Sequence, residues 1–582
     1  MSYFYNKYYS KLDNNVTFSL IESQFKEFVL SDPDNNIGLG ETQFLGQLGD
    51  PSLEGLEKTN NQAQALLSSM LQTKKTETLS FDESLDLDLM IRYLGQMLFF
   101  NNLTQNGQLQ RCRKPNGVDG ISAGIFQLFV NDERTEQARL DDILSRLKQA
   151  PDYLKTELSV ISEPITRWRD IEVEQGEGLA DLFTTIRDWA QQTNYGQLAE
   201  LDVAINKANS SIEQYINTLK EKQTIDDFII GEDKVLELLE LREIHQSPKQ
   251  LADMAKSFML ETNDLLDELT IKLAKKYSLP VSTSQEYLHE FLNEKYAAKI
   301  SDGNITSVLN YYTQQIESIQ GFINKNKLFE IPKDQTMKIM QTPSFLEPVI
   351  PAGAMWPPLA LREGKKTSLV YLTLKHDQLA EHSELGIPVM MIHEGIPGHH
   401  LQFATAALHS SFVRRIFSAN EHAEGWTTML EDYMLDIGYI QPDLVDEVRF
   451  IAKREMSRLV ARVGIDLYFM TGNKQYLDVG LDLTFDSEDV FVNAAKLLKK
   501  ATGFTDGRVQ AELNWYSTEQ SYPLSYLTGN QLVWQLKDEI KQKNKKELNE
   551  TALDQAFHDV YLTSGCMPVN SLRKVYAHLG YL

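Results

Sequence analysis

Cysteine and long apolar runs are both scarce in this sequence. Its 582 residues include only two cysteines, Cys112 and Cys566, and neither belongs to a C-x-x-C pair. A disulfide framework is therefore excluded. No run of about 18 apolar residues predicts a membrane span. Residues 1–7 lack the apolar core of a signal peptide, which predicts a cytoplasmic protein.

Positive charge is also in short supply. Lysine and arginine together number 57 against 82 acidic residues, which gives a formal net charge of -25. Nucleic acid and anionic membrane surfaces would repel such a protein, so neither is expected as a partner. Hydrophobic residues make up 42% of the chain, which is enough to bury a large core.

Helical periodicity dominates the chain. One apolar stripe follows Ser247-Pro248, a typical helix cap and first-turn proline, and a second stripe is expected to end at Pro151. The stripes consist of Leu251, Met254, Phe258, Leu265 and Leu269, and of Leu140, Ile143, Leu144 and Leu147. The fold class is therefore predicted to be mainly α.

The region between about 331 and 375 has a different composition. Prolines cluster there, and Thr367–Leu374 is rich in β-branched and aromatic residues, which predicts a strand. A free edge of that strand could align an extended substrate. We expect residues 1–330 to form a helical N-terminal lobe and residues 331–582 a catalytic lobe.

Histidine is unevenly distributed. None of the 11 histidines precedes His245, yet five fall within 30 residues: His393, His399, His400, His409 and His422. His393-Glu394 begins the H-E-x-x-H pattern of zinc hydrolases, in which two imidazoles bind the metal and the glutamate is the general base. Pro397 stands where the second histidine should be, so the strict pattern fails.

Pro397-Gly398 makes a regular helix unfavourable at this point. A bulge that absorbs two extra residues would return His399 to the position of the second ligand. His400 is then a neighbour or an alternative ligand. A third ligand is expected from the helical stretch containing Glu421, Glu424 and Glu431, whose spacings of three and seven place them on one face. One of the other acids could hold a ligand imidazole through its second nitrogen.

These residues resemble the signature of the bacterial proteins grouped as domain of unknown function 885, which are placed among the zincin-like metallopeptidases. Their pattern His-Glu-x-x-Pro-Gly-His-x-x-Gln is matched by His393, Glu394, Pro397, Gly398, His399 and Gln402, and a later Glu-Gly-Trp with a following acid by Glu424, Gly425, Trp426 and Glu431. The resemblance implies a zinc ion held by His393, His399 and Glu424. It also implies a helical body with a deep central cleft and a small antiparallel sheet near the metal.

The likeness extends towards the C-terminus. Asp466, Ser525-Tyr526 with Gly529, and Phe557-His558-Asp559 are similar to further family positions. Two departures occur. The family usually has Pro-Gly-Gln before the Ser-Tyr, whereas this chain has Gln520-Ser521-Tyr522-Pro523, and a histidine that usually follows the Asp466 region is replaced by Phe469 or Met470.

The expected function is that of a zinc metallopeptidase that cleaves short peptides, with Glu394 as general base. Tyr526 or His558 would stabilise the oxyanion. Two alternatives stay open. One is a metal-dependent amidohydrolase that acts on a small acyl or amino-acid conjugate, and the other is a helical metal-binding protein without catalytic activity.

Overall fold

The computed structural model describes residues 17–301, 303–343, 346–347, 350, 353–376, 379, 382–545 and 549–582. Residues 1–7, on which the expectation about a signal peptide rests, lie outside this part. Backbone contacts divide the chain into an N-terminal unit, up to Ile230 with Pro343–Pro348, and a C-terminal unit, Gly231–Thr342 with Val349–Leu582. Residues 231–330, which were expected in the N-terminal lobe, therefore group with the C-terminal unit.

The described part of the N-terminal unit is built mainly from helices and contains one hairpin with strands of two residues each. The strands of the hairpin are β1 (Thr104–Gln105) and β2 (Gln108–Leu109). The helices are α1 (Phe18–Leu30), α2 (Pro33–Leu39), α3 (Leu53–Thr76), α4 (Phe81–Asn101), α5 (Gly117–Val130), α6 (Glu136–Val160), α7 (Thr166–Gln192) and α8 (Leu198–Glu221).

Helix α6 contains the second predicted stripe, and all four of its stripe residues are buried. The expectation that Pro151 ends this helix is wrong, because α6 continues through Pro151 to Val160. A proline inside a helix removes one backbone hydrogen bond and costs about 3 kcal/mol. Buried residues on both sides, such as Leu147 and Leu154, pack the two halves into the core and offset that cost.

The C-terminal unit is also mainly helical. Its first long helix begins at Pro248 with Ser247 as its cap, as the sequence predicted, and Ser247 and Gln250 form a reciprocal capping box there. The helices are α9 (Glu232–Leu241), α10 (Pro248–Lys276), α11 (Gln285–Lys295), α12 (Leu309–Asn326), α13 (Gly386–Glu394), α14 (His399–Ala406), α15 (Phe412–Ile416), α16 (Asn420–Asp436), α17 (Val445–Thr471), α18 (Val490–Thr502), α19 (Asp506–Thr518), α20 (Ser525–Asn544), α21 (Glu550–Thr563) and α22 (Val569–His578).

A three-stranded sheet accompanies these helices, with the order β3 (Gln335–Gln341), β5 (Lys366–Leu372), β4 (Gly353–Trp356). The predicted strand is confirmed as β5. It pairs antiparallel with β4, as expected, and parallel with β3, which the sequence did not predict. Because β5 is the central strand, both of its edges are hydrogen-bonded. The expectation that a substrate pairs with a free edge of β5 is therefore wrong.

A buried apolar cluster supports helix α13, at whose C-terminal end the histidine motif begins. Leu385 and Val389 contribute to it from α13 and the residue before it, and the other members come from α10, α11, α16 and α17: Leu266, Leu269, Leu273, Leu288, Leu292, Leu435, Val448, Phe450, Ile451 and Ala452. Each fully buried side chain of this size contributes about 1.5–3 kcal/mol. The start of the motif thus rests on a rigid base.

Two further expectations concern absent features. Cys112 and Cys566 are both free thiols, in agreement with the prediction that no disulfide forms. Among the helices in the described part of the chain, none combines the length and the apolar character needed to cross a membrane.

Candidate metal site

The histidine motif forms a tight turn between two helices. Helix α13 ends at Glu394 and α14 begins at His399, with a cis peptide bond between Ile396 and Pro397. A Cβ atom on Gly398 would lie 1.9 Å from the carbonyl oxygen of His393. Only glycine allows this approach. The expected bulge within one helix is therefore replaced by a break between two helices.

The turn brings the first two predicted ligands together. The imidazole rings of His393 and His399 lie 4.9 Å apart and nearly perpendicular to each other. Ligand atoms of His393, Glu394 and His399 all lie within 4.8 Å of one another. Trp426 donates a hydrogen bond from its indole nitrogen to the Pro397 carbonyl oxygen at 2.9 Å, which holds the turn against α16.

Glu424, on α16, completes the cluster. Its Oε2 atom lies 3.5 Å from Nε2 of His393 and 3.3 Å from Nε2 of His399. Zinc bonds of about 2.0–2.1 Å in tetrahedral geometry separate ligand atoms by about 3.3 Å. In addition, Glu424 Oε2 is buried and accepts no hydrogen bond from the described residues. The three side chains therefore fit a zinc ion.

Close contact between two helices places Glu424 there. Helices α16 and α20 cross at Gly425 and Gly529, where a Cβ on Gly425 would lie 2.5 Å from the backbone of Gly529. Any larger side chain would push the helices apart. The three residues of the Glu-Gly-Trp sequence thus have separate structural roles: Glu424 belongs to the cluster, Gly425 allows the close helix crossing, and Trp426 donates the hydrogen bond to the turn.

Glu431 contacts the cluster indirectly, through His393. Its Oε1 is 2.7 Å from Nδ1 of His393, so a carboxylate orients the imidazole whose Nε2 faces Glu424. Burial alone would lower the pKa of His393, but the nearby carboxylates of Glu424 and Glu431 outweigh this and raise the pKa to about 10. A cation at the cluster must therefore displace a proton from His393.

Two tyrosines reach the cluster, Tyr522 from the turn before α20 and Tyr526 from the first turn of that helix. Tyr522 donates a hydrogen bond to Glu424 Oε1 at 2.7 Å. The ring of Tyr526 stacks on His393 with the ring centres 6.4 Å apart. The Tyr526 hydroxyl makes no hydrogen bond within the described part of the chain. Burial and the carboxylate of Glu424 raise the pKa of Tyr526 well above its usual value, so its phenol is a neutral donor.

Arg462, on α17, lies beneath Tyr526. Its guanidinium is 4.3 Å from the centre of the Tyr526 ring and donates hydrogen bonds to Tyr516 and Glu512. The sequence reasoning missed both Arg462 and Tyr522. Tyr522 stands four residues before Tyr526, and this spacing, which places side chains on one face of a helix, is a signal that could have drawn attention to Tyr522.

His400 does not belong to the cluster. Its Nδ1 lies 2.6 Å from the Ser368 hydroxyl on β5, and its Nε2 lies 2.6 Å from the Gln335 side chain on β3. Burial lowers the pKa of His400 to about 4, so the ring is neutral. Because both nitrogens are engaged, the alternative in which His400 is a metal ligand is wrong. His400 instead attaches α14 to the sheet.

Glu421 also lies apart from the cluster. It forms a buried ion pair with Arg242, so its proposed role as an alternative ligand is not supported by its position. The geometry thus separates the three glutamates of α16: Glu424 belongs to the cluster, Glu431 supports His393, and Glu421 pairs elsewhere.

His558 lies in a different environment from the one expected. It is fully buried, its Nε2 is 3.3 Å from Lys537 Nζ, and its Nδ1 is 3.3 Å from the Leu328 carbonyl oxygen. Its ring stacks on Phe329 at 4.4 Å. These contacts occupy both nitrogens, so the expectation that His558 stabilises an oxyanion is wrong.

The fold and the cluster together define a mainly helical protein with a small sheet and a histidine–glutamate cluster whose geometry suits a metal ion. The chain belongs to the family described as bacterial protein of unknown function (DUF885), which matches residues 33–575. The resemblance inferred from the motifs is thereby confirmed at the level of the family. No curated protein matches the sequence.

Two solved structures have a similar fold. One is a candidate lipoprotein of unknown function from Shewanella oneidensis, with 19% sequence identity, a TM-score of 0.72, and coverage of 97% of this chain and 100% of that chain. The other is a candidate lipoprotein from Colwellia psychrerythraea, with 16% identity, a TM-score of 0.76, and coverage of 97% and 99%. At these identities the likeness concerns the fold alone.

Proposed function

We propose that this protein is a zinc-dependent hydrolase of zincin-like type, and that it cleaves amide bonds in short peptides. One observation carries the proposal. The Nε2 atoms of His393 and His399 converge on a buried Glu424 oxygen that accepts no hydrogen bond from the described residues, and Glu394 stands beside them. Two imidazoles, one carboxylate and a further unbound carboxylate are the minimum set for this chemistry.

In this proposal, His393, His399 and Glu424 hold the zinc ion. When bound, zinc supplies a Lewis acid that lowers the pKa of water and polarises the substrate carbonyl. Glu431 keeps the His393 ring in the orientation that its role as ligand requires, through the hydrogen bond to Nδ1.

The chain's own residues perform the proton transfers. Glu394 accepts a proton from the attacking water and passes it to the nitrogen of the leaving amine. Tyr526 donates its hydroxyl hydrogen bond to the carbonyl oxygen as that oxygen gains negative charge. The contact between Arg462 and the Tyr526 ring holds the phenol in place beside His393.

A second candidate function keeps the metal and changes the substrate. β5, the strand that was expected to align a peptide, is paired with β3 and β4, so the outer edges of the sheet belong to those two strands and not to β5. A metal-dependent amidohydrolase acting on a small acyl or amino-acid conjugate needs no such strand, and the same four residues would serve it. A metal-binding protein without activity is the third possibility.

Metal content tests the site directly. We expect protein purified without chelator to contain one zinc ion per chain, measured by elemental mass spectrometry. His393→Ala and His399→Ala should lose it. His400→Ala is the matched control, because His400 is an adjacent histidine on the same helix that is bonded to the sheet; it should keep the zinc. Zinc retained in both His393→Ala and His399→Ala would refute the site.

Turnover is tested with a mixed peptide library and a panel of acylated amino acids, both followed by mass spectrometry. If Glu394→Gln retains zinc but no longer cleaves, this result supports the role of Glu394 as general base. Products from the peptides identify a peptidase, and products from the conjugates alone identify an amidohydrolase. If zinc-loaded protein releases neither type of product, the third candidate remains, which is a metal-binding protein without activity.

A further inference from the structure

The carboxylate of Glu424 has two oxygens with different surroundings. Oε2 faces the two imidazole nitrogens, whereas Oε1 accepts the hydrogen bond of Tyr522 at 2.7 Å. A carboxylate that binds zinc through one oxygen leaves a coordination position open for water, and a carboxylate that binds through both oxygens reduces this space. The Tyr522 hydrogen bond therefore bears on the property that separates catalytic from structural zinc sites.

The turn that carries Tyr522 is held in an unfavourable backbone conformation. Ser521, the preceding residue, has a φ of +71°, which belongs to the left-handed region that residues other than glycine rarely adopt. Such a conformation persists only when surrounding contacts impose it, and it is typical of functional sites.

Buried charged groups impose that conformation. Asp466 is fully buried and accepts hydrogen bonds from the backbone nitrogens of Ser521 at 2.9 Å and Leu524 at 3.0 Å. Arg242 donates to the Ser521 carbonyl oxygen and, at 2.6 Å, to the Ser525 hydroxyl. The backbone on both sides of Tyr522 is thus fixed by a side chain from α17 and by one from the residue that follows α9.

The same arginine connects the turn to the helix that carries the metal ligand. Arg242 forms a buried ion pair with Glu421, which stands three residues before Glu424 on α16. The Tyr522 backbone and the Glu424 helix are therefore held by one guanidinium group. This arrangement sets the distance between the phenol and the carboxylate before any metal binds, which is what preorganisation requires.

We propose that Tyr522 is a positioning residue of the zinc site, whose hydroxyl holds Glu424 so that only Oε2 faces the metal. The inference rests on the zinc site proposed above and extends it to a residue outside the set of proposed ligands. Tyr522 acts through Glu424 and needs no contact with the substrate.

The test compares Tyr522→Phe with Tyr433→Phe in the full-length protein. Tyr433 is the matched control for metal affinity, because it is also a buried tyrosine whose hydroxyl donates to a carboxylate, but that carboxylate is Asp554, at 3.2 Å, which does not belong to the cluster. Zinc affinity is measured by competition with a chelator. We expect Tyr522→Phe to weaken zinc binding by about 10- to 100-fold and Tyr433→Phe to change it by less than about threefold.

Two further readouts separate positioning from a general effect on folding. At saturating Co²⁺, the visible absorption spectrum of Tyr522→Phe should differ from that of the wild type, because the carboxylate binds differently. The rise in Tm on adding zinc should be smaller in this variant, while the Tm of the metal-free protein stays close to that of the wild type.

The outcomes distinguish this inference from the proposed function. A wild-type protein that binds no zinc refutes the zinc site itself. A wild-type protein that binds zinc, together with a Tyr522→Phe variant of equal zinc affinity and unchanged Co²⁺ spectrum, overturns only the role of Tyr522. An equal loss of Tm with and without zinc in that variant would also overturn it, since the residue would then be merely structural.

Discussion

At the scale of single residues, two adjacent histidines have different environments. His399 turns its Nε2 towards Glu424, while His400 is bonded to Ser368 and Gln335 on the sheet. Successive residues at the start of a helix point about 100° apart, so only one of them can face the cluster. The backbone conformation of the preceding turn decides which one does.

Gly398 is the residue on which that turn depends. We expect Gly398→Ala to destabilise the protein by about 3 kcal/mol or more, because its Cβ would overlap the His393 carbonyl oxygen. Gly507→Ala is the matched control. Gly507 lies in α19 with no atom within 4 Å of a Cβ, so alanine there should stabilise by up to about 1 kcal/mol.

Urea unfolding in the presence of chelator measures the free energy of unfolding of both variants without any contribution from metal. Equal effects of the two substitutions would contradict the role assigned to Gly398. Since the overlap involves backbone atoms, no change of side-chain rotamer can relieve it. We therefore also expect Gly398→Ala to lose zinc binding.

At the scale of elements, helix α5 shows how buried helix ends are satisfied from a distance. Glu172 accepts a hydrogen bond from the Val118 backbone nitrogen at 2.8 Å, and Glu157 accepts one from Asn116 at 2.9 Å. The Tyr215 hydroxyl contacts Gly117 and donates to Glu172. Side chains from three other helices thus replace the local cap that α5 lacks.

Burial makes Glu172 sensitive to pH. It raises the pKa of this carboxyl from 4.5 to about 7, although the hydrogen bonds from Val118 and Tyr215 oppose the shift. The unfolded chain loses this proton near pH 4.5 and the folded chain only near pH 7. Folding is therefore penalised progressively as pH rises between these values, by up to about 3 kcal/mol.

Glu172→Gln should remove this penalty, because the amide oxygen can still accept both hydrogen bonds. We expect the variant to be more stable than the wild type at pH 8 by up to about 3 kcal/mol, with the difference vanishing near pH 4. Urea unfolding at several pH values measures it. Glu174→Gln, at an exposed position of the same helix, should show no such difference; a similar gain there would contradict the explanation.

Elements were predictable where their signals are local. The cap at Ser247 and the β-branched composition of β5 predicted a helix start and a strand, because both depend on neighbouring residues alone. Pro151 was misread, since packing on both sides of it outweighs the local cost. Neither the central place of β5 nor its parallel pairing with β3 can be recognised from its own residues.

At the scale of the whole molecule, the cluster and all the residues that support it belong to the C-terminal unit. Zinc binding should therefore protect backbone amides there and leave the N-terminal unit unchanged. Hydrogen exchange followed by mass spectrometry, with and without chelator, tests this. We expect faster exchange without zinc in peptides from α13, α14, α16 and α20, and equal exchange in α5–α8. Faster exchange throughout would contradict a local site.

Much of the candidate site was determined by the sequence alone. His393, Glu394 and His399 lie close along the chain on either side of a Pro-Gly break, and Glu424 and Glu431 are two helical turns apart on one face. Such short-range relations follow from helix geometry. The family assignment followed from the same residues, whereas the reaction and the cytoplasmic location stay predictions.

Tertiary structure decided the remaining features. Tyr522 meets Glu424 across nearly 100 positions of chain, and His558 turns away from the cluster although it belongs to the same family pattern. No periodicity encodes such contacts. They depend on which helices cross and how closely, and here the Gly425–Gly529 crossing brings α16 and α20 into backbone contact. Burial of the whole core, rather than any local signal, selects that arrangement.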